Sequence, residues 1–182
     1  IREQLKKVEI GTVRRQDTSE NQAKIVFLGI GSNLGHRKKN IEKAKFLLTE
    51  CNLDFISVSS YYETPSWPDP SMPKFINIVI ESNTKIPPKN FLQISKSIEI
   101  KLGRKKKFIN SPRTCDIDII SYRNKVIFDK IKIPHERMSE RNFVLIPLFE
   151  IAPDWVHPKT NESIKKLIFS LPIKDITSIK QI

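Results

Sequence analysis

The spacing of hydrophobic residues along the chain predicts four β-strands. The segment "AKIVFLGIG" at 23–31 is a continuous apolar run, which is typical of a buried strand. The segments "LDFISVSSYYET" at 53–64 and "KFINIVIES" at 74–82 alternate between apolar and polar residues, as half-buried strands do. A fourth strand is predicted at 115–122, "CDIDIISY".

Helices are predicted between and after these strands. An apolar stripe at helical spacing runs through 32–51, with Lys and Glu on the other face. The segment 87–103 has proline in its first turn and ends in glycine, as helices often do. Two shorter helices are predicted at 139–153, with Ser139 as N-cap, and at 161–171.

The element order β-α-β-β-α-β predicts the fold class. It is the order of a ferredoxin-like α+β core, with a mainly antiparallel sheet, helices packed on one face and a C-terminal extension. Residues 1–23 lack sustained periodicity and are expected to be an N-terminal extension or linker, so that 24–182 form one domain. Because this fold hosts many activities, it does not indicate a function.

Composition excludes few classes of protein. The 182 residues are 38% hydrophobic and 29% charged, which suits a soluble core, and no apolar run approaches the roughly 18 residues of a membrane span. Cys51 and Cys115 fit no metal-ligand spacing, and we expect reduced, buried thiols in a cytoplasmic protein. The net charge of +12 favours anionic partners, but the excess is mostly lysine and carries little weight by itself.

Two carboxylates stand within the predicted strand at 115–122. Residues two apart on a strand share a face, so Asp116 and Asp118 point together while Ile117 and Ile119 face the core. Two adjacent like charges repel, and a divalent cation such as Mg²⁺ relieves that repulsion. The pair alone is equally compatible with a solvated strand face.

Basic and glycine-rich segments flank this pair in the sequence. "GRKKKFINSPR" places Arg104, Lys105 to Lys107 and Arg113 just before the aspartates, where cations complement a polyphosphate. "GIGSNLG" at 29–35 lies at a strand-to-helix junction, where backbone amides can receive anions, but it matches neither the P-loop nor the dinucleotide motif. Taken singly, the glycines and the lysines are better explained as a tight turn and a solvated face.

Six segments in this order resemble the 6-hydroxymethyl-7,8-dihydropterin pyrophosphokinase family of folate biosynthesis. They are "GIGSNLG", "YYETPSW", "FINIVI", "IEIKLGR", "SPRTCDIDII" and "IPHERMSERNFVLIPLFEIAP", and the likeness spans about 24–169. The resemblance implies a kinase that transfers the diphosphoryl group of ATP to the hydroxymethyl oxygen of the pterin and releases AMP. It also implies small-molecule substrates, and in some organisms this enzyme is fused to a neighbouring folate enzyme. From the residues themselves we expect no nucleic acid or membrane partner, and a monomer because no exposed apolar seam stands out.

The resemblance also assigns roles to residues. Two Mg²⁺ ions are expected on Asp116 and Asp118, with Arg104 and Arg113 as further catalytic residues. The implied pterin site comprises Thr64, Pro65, Trp67, Phe75, Asn77 and Phe143. The implied ATP site comprises Glu99, Arg104, Arg113, Ile119, Lys130, Lys132, His135 and Arg141.

The chain departs from the family pattern at two places near the nucleotide. The loop between Arg104 and Arg113 lacks the arginine and tryptophan that often precede its last arginine, and Glu136 stands where an aromatic residue is common. We therefore expect altered loop closure and modestly weaker nucleotide binding. Two other classes stay open from the residues alone: an RNA-binding module, because the fold and charge suit RNA, and a metal-dependent phosphohydrolase using the same aspartates.

Overall fold

The computed structural model describes residues 25–105, 110–129 and 131–182. The predicted extension at 1–23, Lys106, Lys107 and Lys130 lie outside these ranges. The strands are β1 (Ile25–Ser32), β2 (Asp54–Val58), β3 (Tyr62–Thr64), β4 (Phe75–Asn83), β5 (Asp116–Tyr122), β6 (Ile127–Phe128), β7 (Lys132–Ile133) and β8 (Lys180–Gln181). The helices are α1 (Arg37–Glu50), α2 (Pro88–Lys101), α3 (Asn142–Ile151), α4 (Ile164–Phe169) and α5 (Ile173–Ser178), with a 3-10 turn at Met138–Glu140.

The main sheet is built around β1, and its pairings are antiparallel. Strand β1 lies between β4 and β5, with Leu28 opposite both Ile80 and Ile119. Strands β2 and β3 both pair with β4, and β8 pairs with β3 at the far end. Strand β5 is therefore the terminal strand of the sheet at the opposite end. The α+β class with an antiparallel sheet is confirmed.

Helices cover both faces of this sheet. The two helices of the β-α-β-β-α-β order pack on one face, as predicted for the core, and helices that follow β5 cover the other face. On one face, Leu28 and Ile78 pack in a core that includes residues of α1 and α2. On the other face, Phe27 and Val79 pack in a second core with residues of α3 and α4. The continuous apolar run of β1 reflects this arrangement, because a strand buried on both faces has no polar side.

The predicted strand at 53–64 is two strands in the structure, and a half-buried carboxylate binds the backbone between them. Glu150 of α3 accepts hydrogen bonds from the Ser60 backbone nitrogen, the Ser60 hydroxyl (2.7 Å) and the Tyr62 hydroxyl (3.0 Å). The Ser60 nitrogen is thus turned to a side chain rather than to β4. This contact ties α3 to β3, and both elements supply residues to the site described below.

The other local predictions have mixed outcomes. Helix α3 begins at Asn142, and Ser139 lies in the preceding 3-10 turn, so the prediction of Ser139 as N-cap is wrong. Both cysteines are free, Cys115 buried and Cys51 half-buried, and burial raises the pKa of Cys115 to about 12. In the part of the chain that is described, none of the helices has the length and apolar character to span a bilayer.

Candidate active site

Two cavities lie beside the terminal strand β5. The first, which we call the aromatic cavity, has among its lining residues Thr64, Trp67, Phe75, Asn77, Asp116 and Phe143. The second, which we call the charged cavity, has among its lining residues Leu92, Lys96, Ile119, Lys132, His135 and Glu136.

The alternation of side chains along β5 relates the two cavities to each other. Asp116 and Asp118 both line the aromatic cavity, which confirms that they share a face. Ile117 and Ile119 point the other way, into the core with α1 and α2, and also line the charged cavity. Asp118 lines both cavities, so it lies where they meet.

Asp116 is held between two guanidinium groups. Arg104 Nη1 is 2.5 Å from its Oδ1 atom and Arg113 Nη2 is 2.6 Å from its Oδ2 atom. Burial by itself would raise the pKa of Asp116, but the charges of Arg113 and Arg104 outweigh burial and hold this pKa below its usual range. The Asp116 carboxylate is therefore ionised at neutral pH, which is the form that binds a metal cation.

Glu99 of α2 contacts both Arg104 and the backbone of β5 next to Asp116. Its side chain is almost fully buried, accepts a hydrogen bond from the backbone nitrogen of Ile117 (2.8 Å) and pairs with Arg104 (2.7 Å) and Lys96 (3.0 Å). Glu99 thus fixes both β5 and the guanidinium that contacts Asp116. It lines neither cavity, so the structure places it behind the site rather than at a ligand surface.

Asp118 is more open than Asp116 and has different partners. Its Oδ2 atom lies 3.0 Å from Arg141 Nη1 and 3.8 Å from His135 Nε2. Burial lowers the pKa of His135, Asp118 opposes that shift, and Arg141 and Arg137 add to it. His135 is therefore neutral at pH 7, and its Nδ1 atom accepts a hydrogen bond from the backbone nitrogen of Arg137 (3.2 Å).

Buried amide and hydroxyl groups form the polar wall of the aromatic cavity. Asn77 Nδ2 donates to Thr64 Oγ1 (3.1 Å), and both side chains are buried. Gly31 lies against Asn77, because an added Cβ there would come within 2.6 Å of Asn77 Oδ1 and 3.3 Å of the Phe75 ring. Only glycine fits at this position without displacing the wall of the cavity.

Arginines stand over the aromatic side chains of this cavity. The Arg113 guanidinium lies 5.2 Å from the Phe75 ring centre, and the Arg141 guanidinium lies 5.5 Å from the Phe143 ring centre. The Nε atoms of both arginines are buried and have no hydrogen-bond acceptor in the described structure. Both side chains therefore keep unused donor capacity next to the two rings.

Asn33 joins the two loops that flank the aromatic cavity. Its Oδ1 atom accepts a hydrogen bond from the Arg113 backbone nitrogen (2.7 Å), and its Nδ2 atom donates to the Pro73 carbonyl (3.1 Å). The proline-rich loop at 65–73, "PSWPDPSMP", and the segment carrying Arg113 are thus tied to one buried amide. The "GIGSNLG" motif contains both Asn33 and Gly31. The sequence analysis assigned no role to Asn33 and explained the glycines as a tight turn, whereas Gly31 lies in strand β1.

The charged cavity has an apolar wall and a polar rim. Leu92, Ile119 and Ile131 supply the apolar wall. At the rim, Lys132 Nζ forms an ion pair with Glu136 Oε1 (2.7 Å). Both of these side chains are more than half exposed, so the pair is open to solvent and to a charged ligand.

Most residues that the sequence predicted for the site surround these two cavities. Arg104 and Glu99 lie behind Asp116, and Lys130 is outside the described residues. The sequence analysis did not assign roles to Asn110 and Arg137, although Asn110 lines the aromatic cavity and Arg137 lines both. The predicted residues at the cavities are Thr64, Pro65, Trp67, Phe75, Asn77, Arg113, Asp116, Asp118, Ile119, Lys132, His135, Arg141 and Phe143.

Comparison with known proteins decides the family. The family model described as 7,8-dihydro-6-hydroxymethylpterin-pyrophosphokinase (HPPK) matches residues 27–153, which include both aspartates and both cavities' principal walls. The chain belongs to the HPPK family. It is therefore a pyrophosphokinase of folate synthesis, which transfers the diphosphoryl group of ATP to the hydroxymethyl oxygen of 6-hydroxymethyl-7,8-dihydropterin and releases AMP. The family match favours the kinase over the RNA-binding and phosphohydrolase alternatives.

Curated HPPK relatives are of two lengths. The 2-amino-4-hydroxy-6-hydroxymethyldihydropteridine pyrophosphokinase of Aquifex aeolicus is 37% identical over 142 residues, which cover 78% of this chain and 88% of that protein. The folic acid synthesis protein fol1 of Schizosaccharomyces pombe is 34% identical over 167 residues, covering 91% of this chain but 22% of that protein. The chain thus spans most of the short relative and about a fifth of the long one.

Solved structures show the same fold within longer chains. An HPPK-DHPS structure in complex with substrates has a TM-score of 0.66 at 19% identity. The aligned part covers 81% of this chain and 43% of the chain in that structure. Wild-type HPPK-DHPS of Plasmodium falciparum has a TM-score of 0.66 at 16% identity. The aligned part covers 87% of this chain and 44% of the Plasmodium chain. At this level of identity the likeness supports the fold.

Proposed function

We propose that the two substrates meet at Asp118, with ATP in the charged cavity and the pterin in the aromatic cavity. One observation carries this proposal: Asp118 lines both cavities, and Asp116 stands on the same face of β5. A group transferred from one substrate to the other must pass the point where their cavities meet. The pair of carboxylates is therefore at the position where the reacting phosphate has to be held.

The donor set at this point fits Mg²⁺. Asp116 and Asp118 supply carboxylate oxygens, while the described residues contain no cluster of three or more potential ligands. Mg²⁺ commonly takes one or two carboxylates and fills its other positions with water and phosphate oxygens, so two aspartates are sufficient. Two Mg²⁺ ions held there would neutralise charge on the phosphates and orient them.

The arginines beside the aspartates are proposed to turn toward the phosphates of ATP. Arg113 and Arg141 each have a donor with no acceptor in the described structure, so a phosphate oxygen would use capacity that is now idle. Arg104 is proposed to act with them, held by Glu99. Lys132, His135 and Ile119 are proposed to contact the nucleotide on the other side of Asp118, and Lys130 remains a sequence prediction.

The aromatic cavity has the chemistry that a pterin requires. The proposed sandwich places the flat ring between Phe75 and Phe143, which both line the cavity. Thr64 and Asn77 present hydroxyl and amide groups at the same cavity, and such groups can read the edge of a heterocycle. Pro65 and Trp67 are proposed to complete the pocket, Trp67 through its backbone.

The protein's contribution to the reaction is positioning and charge neutralisation. A bond forms from the hydroxymethyl oxygen to the β-phosphorus, while the bond from that phosphorus to the oxygen bridging to the α-phosphate breaks. The bridging oxygen leaves with AMP, and the hydroxyl proton passes to water. Arg104, Arg113 and Arg141 favour this step by holding charged oxygens in fixed positions within a partly enclosed site.

Several broader features are proposed on the same basis. The core is proposed to be ferredoxin-like, supported by the order β5-β1-β4 with β2 and β3 beyond it and by its antiparallel pairings. Residues 24–182 are proposed to form the pyrophosphokinase domain, with 1–23 as an extension. A monomer that acts in the cytoplasm stays a prediction.

One assay tests the proposed function. The full chain is mixed with ATP, Mg²⁺ and 6-hydroxymethyl-7,8-dihydropterin, and nucleotide products are separated by chromatography. We expect AMP to appear in equal amount to the pterin diphosphate, and only when the pterin and Mg²⁺ are both present. Release of inorganic phosphate without pterin, or AMP formation that is unchanged by a chelator, would contradict the proposal.

A further inference from the structure

A second charged residue besides Asp118 lies at the junction of the two cavities. Arg137 lines both the aromatic and the charged cavity, and Asp118 and Arg137 are the residues that the two linings share. Asp118 was predicted from the sequence, whereas Arg137 had no assigned role. If ATP and pterin occupy these cavities, Arg137 stands beside the group that moves between them.

The ionic partners of the arginines distinguish Arg137 from its neighbours. Arg104 and Arg113 pair with Asp116, and Arg141 pairs with Asp118. Within the described ranges, no carboxylate lies at ion-pair distance from Arg137. Its positive charge is therefore available to an anionic ligand without first breaking an ion pair.

An aromatic ring holds Arg137 in this position. Its guanidinium lies 4.9 Å from the centre of the Trp67 ring, and the Arg141 guanidinium lies 5.3 Å from the same ring. Stacking on an aromatic face leaves the N–H groups at the guanidinium edge free to donate. The exposed side chain of Arg137 is thus oriented by Trp67 while its donors stay free.

We propose that Arg137 is a catalytic residue that donates hydrogen bonds to the β- and γ-phosphate oxygens of ATP as they are transferred. This inference rests on the proposed function for the placement of ATP and pterin. It adds a cation that bridges the two cavities and that Trp67 orients in advance. Such a contact strengthens as charge develops on the transferred group, so Arg137 acts on turnover as well as on binding.

The test compares three variants with the wild-type full chain. Arg137→Gln removes the charge, and Arg137→Lys keeps the charge but loses the planar, stacked donor group. Arg123→Gln is the matched control, because Arg123 also lies over a ring, that of Tyr122 at 5.0 Å, but lines neither cavity. Turnover is followed as AMP formation, and binding of ATP and of AMP, each with Mg²⁺, is measured by calorimetry.

We expect Arg137→Gln to lower kcat/KM for ATP by roughly 10- to 100-fold, as for one lost charged hydrogen bond. ATP binding weakens while AMP binding is unchanged, because AMP lacks the β- and γ-phosphates. Arg137→Lys recovers part of the loss, and Arg123→Gln behaves as wild type in turnover and binding.

Two results would overturn the inference: wild-type kinetics for Arg137→Gln, or equal weakening of ATP and AMP binding. A wild-type chain that binds ATP but forms no AMP would instead contradict the proposed function. The ratio of ATP to AMP affinities in wild type and Arg137→Gln would still decide whether Arg137 contacts the outer phosphates.

Discussion

The aromatic cavity and the charged cavity differ in how their polar groups are satisfied. In the aromatic cavity, Asn77 and Thr64 bond to each other in a buried wall, and Gly31 packs directly against that wall. In the charged cavity, Lys132 and Glu136 form an exposed ion pair at the rim. One cavity is thus built on the sheet and the other largely on the segment after β5.

This difference follows from what each ligand requires. A flat heterocycle is recognised by shape and by a few hydrogen bonds at fixed positions, which strands provide. A polyphosphate is recognised by charge, and positive charge acts over several ångströms without a fixed geometry. We therefore expect substitutions of the aromatic rings and of the buried Asn77 and Thr64 wall to affect mainly the pterin. Substitutions at the rim of the charged cavity should affect mainly the nucleotide.

The largest effect is expected at the junction of the two cavities, where a substitution should affect both the nucleotide and the pterin. Asp118→Asn removes a proposed Mg²⁺ ligand while keeping the shape of the side chain, and we expect kcat to fall by about 10³-fold or more. Steady-state AMP formation measures the loss, and thermal unfolding checks that the fold is retained. Turnover within a few-fold of wild type would mean that Asp118 does not hold the metal.

Asp116 provides a matched comparison at the same face of β5. Asp116→Ala leaves Arg104 and Arg113 without their shared carboxylate, whereas Asp118 makes fewer ionic contacts. We expect Asp116→Ala to lower the free energy of unfolding by about 1–3 kcal/mol, less than for a fully buried pair because 17% of this side chain is exposed. Denaturant titration should show that Asp116→Ala is less stable than Asp118→Ala. Equal free energies of unfolding would mean that the additional arginine contact of Asp116 does not stabilise the fold.

The next largest effect should be confined to the aromatic cavity. Phe143→Ala removes one proposed face of the pterin sandwich, and we expect pterin affinity to fall by roughly 10- to 100-fold, as for loss of one stacking partner. ATP affinity should change less than threefold. Calorimetric titration with each substrate measures both, and Phe128→Ala, which alters an exposed ring outside both cavity linings, is the control. Equal weakening for both substrates would show that the cavities are not separate.

A smaller effect of opposite sign is expected in the charged cavity. Glu136→Gln releases Lys132 from its ion pair and removes a negative charge from the rim. We expect KM for ATP to decrease about two- to fivefold, with the gain shrinking as salt is added, because both side chains are exposed. KM for the pterin should not change. Weaker ATP binding in this variant would mean that Glu136 contributes a favourable contact to the nucleotide.

The smallest expected effect lies outside both cavities and concerns stability against pH. Burial lowers the pKa of His157, opposed by Glu162 and reinforced by Lys159. Its Nδ1 atom accepts hydrogen bonds from the backbone nitrogens of Lys159 (3.2 Å) and Thr160 (3.3 Å), which protonation would remove.

The sign of this pH dependence follows from the lowered pKa. As pH falls below the unfolded value of about 6.5, the unfolded chain binds a proton that the folded chain resists, so stability decreases. We expect His157→Asn, which keeps an acceptor but cannot titrate, to lose less stability between pH 7 and pH 5 than wild type does. Identical pH profiles from denaturant titrations would exclude His157 as a source of this dependence.

The sequence predicted the parts of the site that follow from local periodicity. The shared face of Asp116 and Asp118 depends only on the two-residue repeat of a strand, and the structure confirms it. The family resemblance supplied residues as far apart as Thr64 and Arg141, which the structure brings to one cavity. Local sequence pattern alone could not have predicted that Thr64 and Arg141 are close in space, because only the packing of the sheet brings such distant positions together.

Long-range contacts decided what the sequence analysis missed. The break between β2 and β3 depends on Glu150, which is 90 residues from Ser60 along the chain. The N-cap prediction at Ser139 was wrong because a 3-10 turn precedes α3, and the sequence analysis did not place α3 and α4 on the second face of the sheet. Neither the turn nor the second layer has a signal in the spacing of apolar residues around Ser139.

By itself, the sequence determined the long strands β1, β4 and β5, the main helices, the paired carboxylates and the family, because each is recorded in short-range pattern or in ordered motifs. Only the tertiary structure decided that Asp118 and Arg137 share the junction of two cavities and that each neighbouring arginine already has a carboxylate partner. The physical reason is that charge balance depends on distances across the sheet and its loops, which residue order does not contain.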